Sequence, residues 1–232
     1  MTLVSSLILQ SSGKMTHPLE KYINNFKYFA QLGVDIILFL DKNIHLDLPN
    51  NVNVIKIDIK ELESFSILNK GNRLVTQGMG SSYNPDKNTL DYMIIQNAKN
   101  EFLHKAVNNF NLDSVTWIDF GAAHMFKTPE VTVRKILDVD KLKKGIVIPG
   151  CWQKNQDLSD INWRFCGTFL HGDKESINNL YHKSYQALRL LNHLATWEVN
   201  IWAWIELNLQ VEFFWYQADH DDSLFNFNKF FL

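Results

Sequence analysis

Short apolar runs and amphipathic stripes alternate along the whole chain, and that alternation limits the fold more than any single motif does. Residues 3–9 read as a buried strand. Residues 18–32 carry Leu19, Tyr22, Ile23, Phe26, Phe29 and Ala30 at helical spacing, and Gly33 stops that helix. Residues 34–41 are a strand ending in an acid, and 52–59 alternate faces as a third strand does. The spacing predicts a helix over 89–107, with Leu90, Met93, Ile94, Ala98, Phe102 and Ala106 on one stripe and Lys99 and Lys105 off it. Further strands are expected at 115–120, 145–149 and 165–170, and helices at 173–191 and 196–207. Such a series argues an α/β fold, a mixed and mostly parallel central sheet with helices on its faces. No linker rich in Pro, Gly or Ser divides the chain, so 1–232 reads as a single domain.

Composition narrows the function. The 232 residues include only 10 glycines, and the nearest approach to a phosphate-cradling loop, Gly78-x-Gly80 up to Tyr83, lacks the third glycine of the dinucleotide fingerprint. A formal net charge of -2 provides no field for nucleic acid or anionic membrane, and Lys141, Lys143 and Lys144 read as a solvated helix end. Two cysteines, Cys151 and Cys166, are too distant in sequence for a Cys-x-x-Cys pair and too few for a disulfide framework, which favours a reducing, cytoplasmic setting. The run at 3–9 is broken by two serines and has no basic residues before it, so it is expected to be a strand and not a signal peptide. The apolar runs are too short for a transmembrane segment, and there is no Asn-x-Ser/Thr acceptor.

Three segments could carry chemistry. Asp119 ends an apolar strand and precedes Gly121, where α/β sheets place ligand-contacting groups; a turn-capping carboxylate is the alternative. His124 could join it as a cation ligand or be a satisfied core histidine. Asp219, His220, Asp221 and Asp222 offer hard oxygen ligands and an imidazole between aromatic flanks, a set that suits Mg2+ or Mn2+. Glu198 falls in the first turn of a helix that Thr196 is expected to cap, among Trp197, Ile201 and Trp204. It reads either as a helix-dipole residue or as a general base beside aromatic surface. No Gly-x-Ser-x-Gly elbow occurs, which disfavours covalent catalysis.

With these segments goes a resemblance. The opening Thr-Leu-Val-Ser-Ser, 24–29 (Asn-Asn-Phe-Lys-Tyr-Phe), 37–42, 97–103, Trp117-Ile-Asp-Phe-Gly121 with His124, 197–202 and 219–223 resemble, in order and end to end, the HtrL/YibB (WlaTC-like) family, bacterial proteins classed as glycosyltransferases by similarity. The resemblance implies a fold like the GT-A nucleotide-diphospho-sugar transferases and transfer of a sugar from a nucleotide-sugar donor to a glycan or other hydroxyl acceptor. It implies Asp119 as the first acid of an Asp-x-Asp cation motif, although Gly121 stands where the second would be, so His124 or His220 would complete the coordination of Mn2+ or Mg2+. It further implies Lys99 as a donor contact, the loop 69–86 with Gln77 and Tyr83 as a lid over the donor, and Glu198 as the acid or base nearest the acceptor. The alternatives are a carbohydrate- or nucleotide-sugar-binding module without catalysis, and a metal-dependent hydrolase built on Asp219 to Asp222.

Overall fold

The computed structural model describes residues 1–232 apart from 14, 16, 71–72, 76–83, 143–144, 156 and 232. The elements run β1 (Thr2–Leu7), α1 (Leu19–Ala30), β2 (Asp35–Asp41), β3 (Val52–Ile57), α2 (Glu63–Leu68), β4 (Arg73–Leu74), α3 (Leu90–Asn97) and α4 (Lys99–Asn109). They continue with β5 (Ser114–Ile118), α5 (Pro129–Thr132), β6 (Ile146–Gly150), β7 (Phe169–Asp173), α6 (Lys174–Leu190), β8 (Leu194–Ala195), α7 (Glu198–Asn208), β9 (Phe213–Gln217) and α8 (Asn228–Phe231). Seven strands form one sheet in the order β3-β2-β1-β5-β7-β6-β9, and β4 pairs with β8 as a separate two-stranded ribbon. Within the seven, β7 alone is antiparallel to its neighbours β5 and β6; the other pairings are parallel. The chain is therefore α/β with a mostly parallel central sheet flanked by helices, as the alternation of patterns predicts.

The unbroken apolar character of β2 follows from burial on both faces. Ile37 and Phe39 pack on one side with Val4, Trp117, Phe102 and Leu180, under α3, α4, α6 and α7. Ile36, Leu38 and Leu40 pack on the other with Phe26, Phe29, Ile136 and Phe225, under α1 and the 3-10 turns after β5 and β9. No helix among the described residues is long and apolar enough to cross a membrane.

Three expectations shift. The helix expected at 89–107 breaks at Ala98, where the Asn97 side chain donates to Met93 O at 2.8 Å and to Thr196 O at 2.8 Å. An amide that bonds back to its own helix and outward to another element bends the axis there. The strand expected at 165–170 begins only at Phe169, because the preceding residues are tied to sheet ends: Cys166 N donates to Pro149 O at 2.8 Å, and Asp119 N donates to Thr168 O at 3.0 Å. The aromatic segment at 213–217, read as a flank, is the edge strand β9, in keeping with the strand preference of Phe, Trp and Tyr.

The β5–β7 pair contains a titratable group in the core. His171 is 4% exposed, and its Nδ1 lies 3.0 Å from Thr116 Oγ1. Burial pulls its pKa from 6.5 down to about 4, against the smaller opposing pull of Asp140 and Asp173. Between those two pH values the unfolded chain binds a proton that the folded chain excludes, so stability present above pH 6.5 is lost as pH falls towards 4. Urea denaturation at stepped pH should show a loss of roughly 3 kcal/mol in this window from this group, and His171→Gln should flatten that part of the profile. A variant slope equal to the wild type would assign the acid sensitivity elsewhere.

Candidate functional site

After β1, β2 and β3 are laid down in one direction, the chain crosses back and adds β5 on the other side of β1. The ends of β1 and β5 thus diverge at a topological switch point, where open α/β sheets leave a crevice outside the carboxyl ends of their strands. A cavity of about 640 Å³ lies there, with Lys99, Trp117, Asp119, Trp163, Trp197 and Glu198 in its lining. Gln10, just beyond β1, ties the wall together: its Nε2 donates to Asp86 O at 2.9 Å and its Oε1 accepts from Thr89 Oγ1 at 2.9 Å.

The break at Ala98 starts α4 with Lys99, whose side chain is buried at 3% exposure and not on a solvated face. Its ammonium donates to Glu198 Oε1 at 2.7 Å and Gly167 O at 2.9 Å and pairs with Asp119 Oδ1 at 3.0 Å. Three protons meet three acceptors, which is the full capacity of the group. The ammonium also lies 5.6 Å from the centroid of the Trp117 ring, and Trp117 Nε1 donates to Asp119 Oδ1 at 2.8 Å. Burial lowers the Lys99 pKa, but Asp119 and Glu198 outweigh it and hold the group charged beyond its ordinary range. Gly167 has to be glycine for this contact, since a Cβ there would fall on Glu198 Oε1 and crowd Lys99 Nζ at 3.2 Å. Tyr92, beside the cluster, has its hydroxyl pKa pushed well up by burial and by Glu198 and Asp119.

Polar atoms left over point into the same region. Asn97 Oδ1, Thr196 Oγ1, Trp197 Nε1 and Glu198 Oε2 are all buried without a hydrogen-bond partner among the described residues. Buried polar groups are rarely left unmatched, and here unpaired acceptors and an unpaired donor sit side by side at the start of α7. Trp197, not Thr196, occupies the N-cap position of that helix, and no side chain caps it. Lys87 completes the lining from the tight turn Pro85–Lys87. It makes no ion pair among the described residues, and its pKa is lowered by burial ahead of the opposing pull of Asp119.

The expected cation ligands are not assembled as one set. Asp119 is about one-third exposed and engaged by Lys99 and Trp117. His124 hydrogen-bonds through Nδ1 to Gly121 O at 2.6 Å and meets the His17 ring edge-on at 5.7 Å. Burial lowers the His17 pKa, helped by Lys21, His124 and Lys87. His220 stands edge-on to Trp163, with ring centres 4.9 Å apart, and its Nδ1 is 3.9 Å from Cys151 Sγ. The acids around it divide among separate tasks: Asp221 caps Ser223 N at 2.8 Å, and Asp222 accepts from Lys127 N at 3.1 Å and Thr132 Oγ1 at 2.9 Å. Gln77 and Tyr83 lie outside the described residues.

Sequence reasoning missed Lys87, Gly167 and the meeting of the two cysteines, whose sulfurs lie 3.5 Å apart. The hydrogen bond with Cys166 and, less strongly, His220 bring the Cys151 thiol down to about 6, while Cys166 is pushed far up by that bond and by burial. The burial of Lys99 had no local signal in the sequence, where it stands off the apolar stripe between Ala98 and Asn100.

Removing one member of a buried ion group strands the rest, typically at about 3–5 kcal/mol. Lys99→Met should therefore lower the midpoint of urea unfolding by an amount in that range, and adding Glu198→Gln should recover part of the loss. Strict additivity of the two substitutions would mean that the groups are not coupled.

Comparison with curated proteins yields no match. The family described as "Bacterial protein of unknown function (HtrL_YibB)" matches over residues 11–195, a span that takes in Lys87, Lys99, Asp119 and Gly167, and the chain belongs to that family.

Proposed function

We propose that the chain is a glycosyltransferase of GT-A type, moving a sugar from a nucleotide-sugar donor to a hydroxyl on a glycan or other acceptor. The observation that carries this reading is the buried Lys99–Asp119–Glu198 group beside an aromatic-walled cavity, with the one-third-exposed Asp119 carboxylate reaching into it. Sugars present hydroxyls that both donate and accept, and apolar ring faces that lie on indoles. The position of the cavity outside the strand ends of a mostly parallel sheet supports a nucleotide-type ligand.

In this reading Lys87, without a counter-ion, faces the donor diphosphate and offsets the charge that grows as the diphosphate leaves. The acceptor oxygen bonds the anomeric carbon as the bond from that carbon to the diphosphate breaks, and the hydroxyl proton passes to an oxygen of the departing diphosphate, while Asp119, the more exposed of the two carboxylates, faces the donor. Glu198 is a positioning residue, holding Lys99 and through it Asp119. Asp119 Oδ2 is open to a divalent cation here, Oδ1 being taken by Lys99 and Trp117. That suits Mn2+ or Mg2+ arriving with the donor, whose phosphates supply the other oxygens, and adding to the charge neutralisation when bound.

A thermal-shift panel of UDP, GDP and CMP, each with and without Mn2+, tests the proposal. At a hundredfold excess over Kd one nucleotide should stabilise the chain by about 2.7 kcal/mol, a rise of roughly 5–10 °C in Tm for a chain of this size. Asp119→Ala should abolish the Mn2+-dependent part and Lys87→Gln should weaken both. Release of nucleoside diphosphate in the presence of an acceptor distinguishes transfer from binding alone. No shift from any nucleotide, with or without metal, would refute it.

A further inference from the structure

We infer that Cys151, Cys166 and His220 form a binding site for a thiolate-preferring divalent cation of the zinc class. Their donor atoms all lie within 4.8 Å of one another, the one such group of acid, thiol and imidazole ligands among the described residues. The inference stands apart from sugar transfer, since the site shares no ligand with the Lys99–Asp119–Glu198 group.

The spacing fits the ion. Tetrahedral zinc with Zn–S bonds of about 2.3 Å holds its sulfurs roughly 3.8 Å apart and a sulfur and an imidazole nitrogen roughly 3.5 Å apart. The corresponding separations here are 3.5 Å between the sulfurs and 3.9 Å from Cys151 Sγ to His220 Nδ1. A disulfide would need the sulfurs at about 2.05 Å and would leave the approach of His220 without a purpose. Asp219 Oδ1, 3.8 Å from Cys151 Sγ and 3.7 Å from His220 Nδ1, stands where a fourth ligand would. Thiolates and imidazole select zinc over Mg2+ or Mn2+.

The ligands come from three separate stretches that the backbone holds in register. Cys151 N donates to Trp163 O at 2.9 Å, Cys166 N to Pro149 O at 2.8 Å, and Ala218 N to Gly150 O at 2.9 Å, so Cys151 directly follows β6 while Cys166, three residues before β7, and His220, three residues after β9, are tethered beside the end of β6. The His220 ring is fixed against Trp163. Cys166 is fully buried, whereas Cys151, Asp219 and His220 line the cavity. With Asp219 Oδ1 as the fourth donor the set is closed, two thiolates, one imidazole and one carboxylate at the edge of the cavity.

The test is titration of the reduced, metal-stripped 232-residue chain with Co2+. One equivalent should produce the thiolate-to-metal charge-transfer band and the visible bands of tetrahedral Co2+, and Zn2+ should bleach both. Cys151→Ser should remove the charge-transfer contribution of that thiolate and His220→Ala should weaken binding tenfold or more, with circular dichroism showing both variants folded. Asp119→Asn should titrate like the wild type, which separates this site from the proposed donor site. The inference is overturned by a folded wild type that gives no band, by a titration that neither Cys151→Ser nor His220→Ala alters, or by a Cys151–Cys166 disulfide that persists in protein purified under reductant.

Discussion

The Lys99 ammonium, taken out of water and given three acceptors from three distant parts of the chain, is the interaction on which the arrangement of the cavity depends. Asp119 closes a central strand, Gly167 belongs to the approach to β7, and Glu198 opens α7. Each of these must arrive within hydrogen-bonding distance for the charge to be tolerated in the interior, so correct packing of sheet and helices is enforced by an electrostatic requirement as well as by apolar burial. One lysine between two carboxylates carries a formal deficit of one positive charge. Lys87 lies close enough for both acids to act on it, although burial outweighs their pull.

The sheet itself was legible from pattern. Residues 36–40 and 146–148 are apolar without interruption because helices cover both faces, and such runs announce central strands of an α/β protein. Asp119 was legible for a related reason: an acid directly after such a run has to sit at the rim, where the strand leaves the core. The boundaries were less so. The helix over 89–107 has an unbroken apolar stripe, and its interruption at Ala98 comes from a bond between Asn97 and Thr196, a partner 99 positions away that no local periodicity reports.

The rest of the site was hidden for the same reason, since it is made of long-range encounters. Lys99 reads as an off-stripe helix lysine until Glu198 is placed beside it. Cys151 and Cys166 lack the local spacing of a ligand pair, yet the hairpin between β6 and β7 folds one back over the other. Gly167 carries no turn signature; its lack of a side chain matters only because Glu198 and Lys99 occupy the space a Cβ would take. His220 was singled out for its acidic neighbours, but Asp221 and Asp222 are engaged in capping and bracing the turn, and its partners across the fold are a thiol and an indole.

The reversed direction of β7 has a consequence for how such a cavity can be varied. Because β6 ends and β7 begins at the same edge of the sheet, residues 151–168 leave and re-enter there as an excursion that never crosses a face. That excursion contributes Cys151, Trp152, Trp163, Gly167 and Thr168 to the lining. As built, one stretch both lines the cavity and locks onto α7, with Phe165 in the core, Asn162 N donating to Asn200 Oδ1 and Arg164 paired with Glu206, so the lining from 161 to 168 cannot be varied without disturbing that helix.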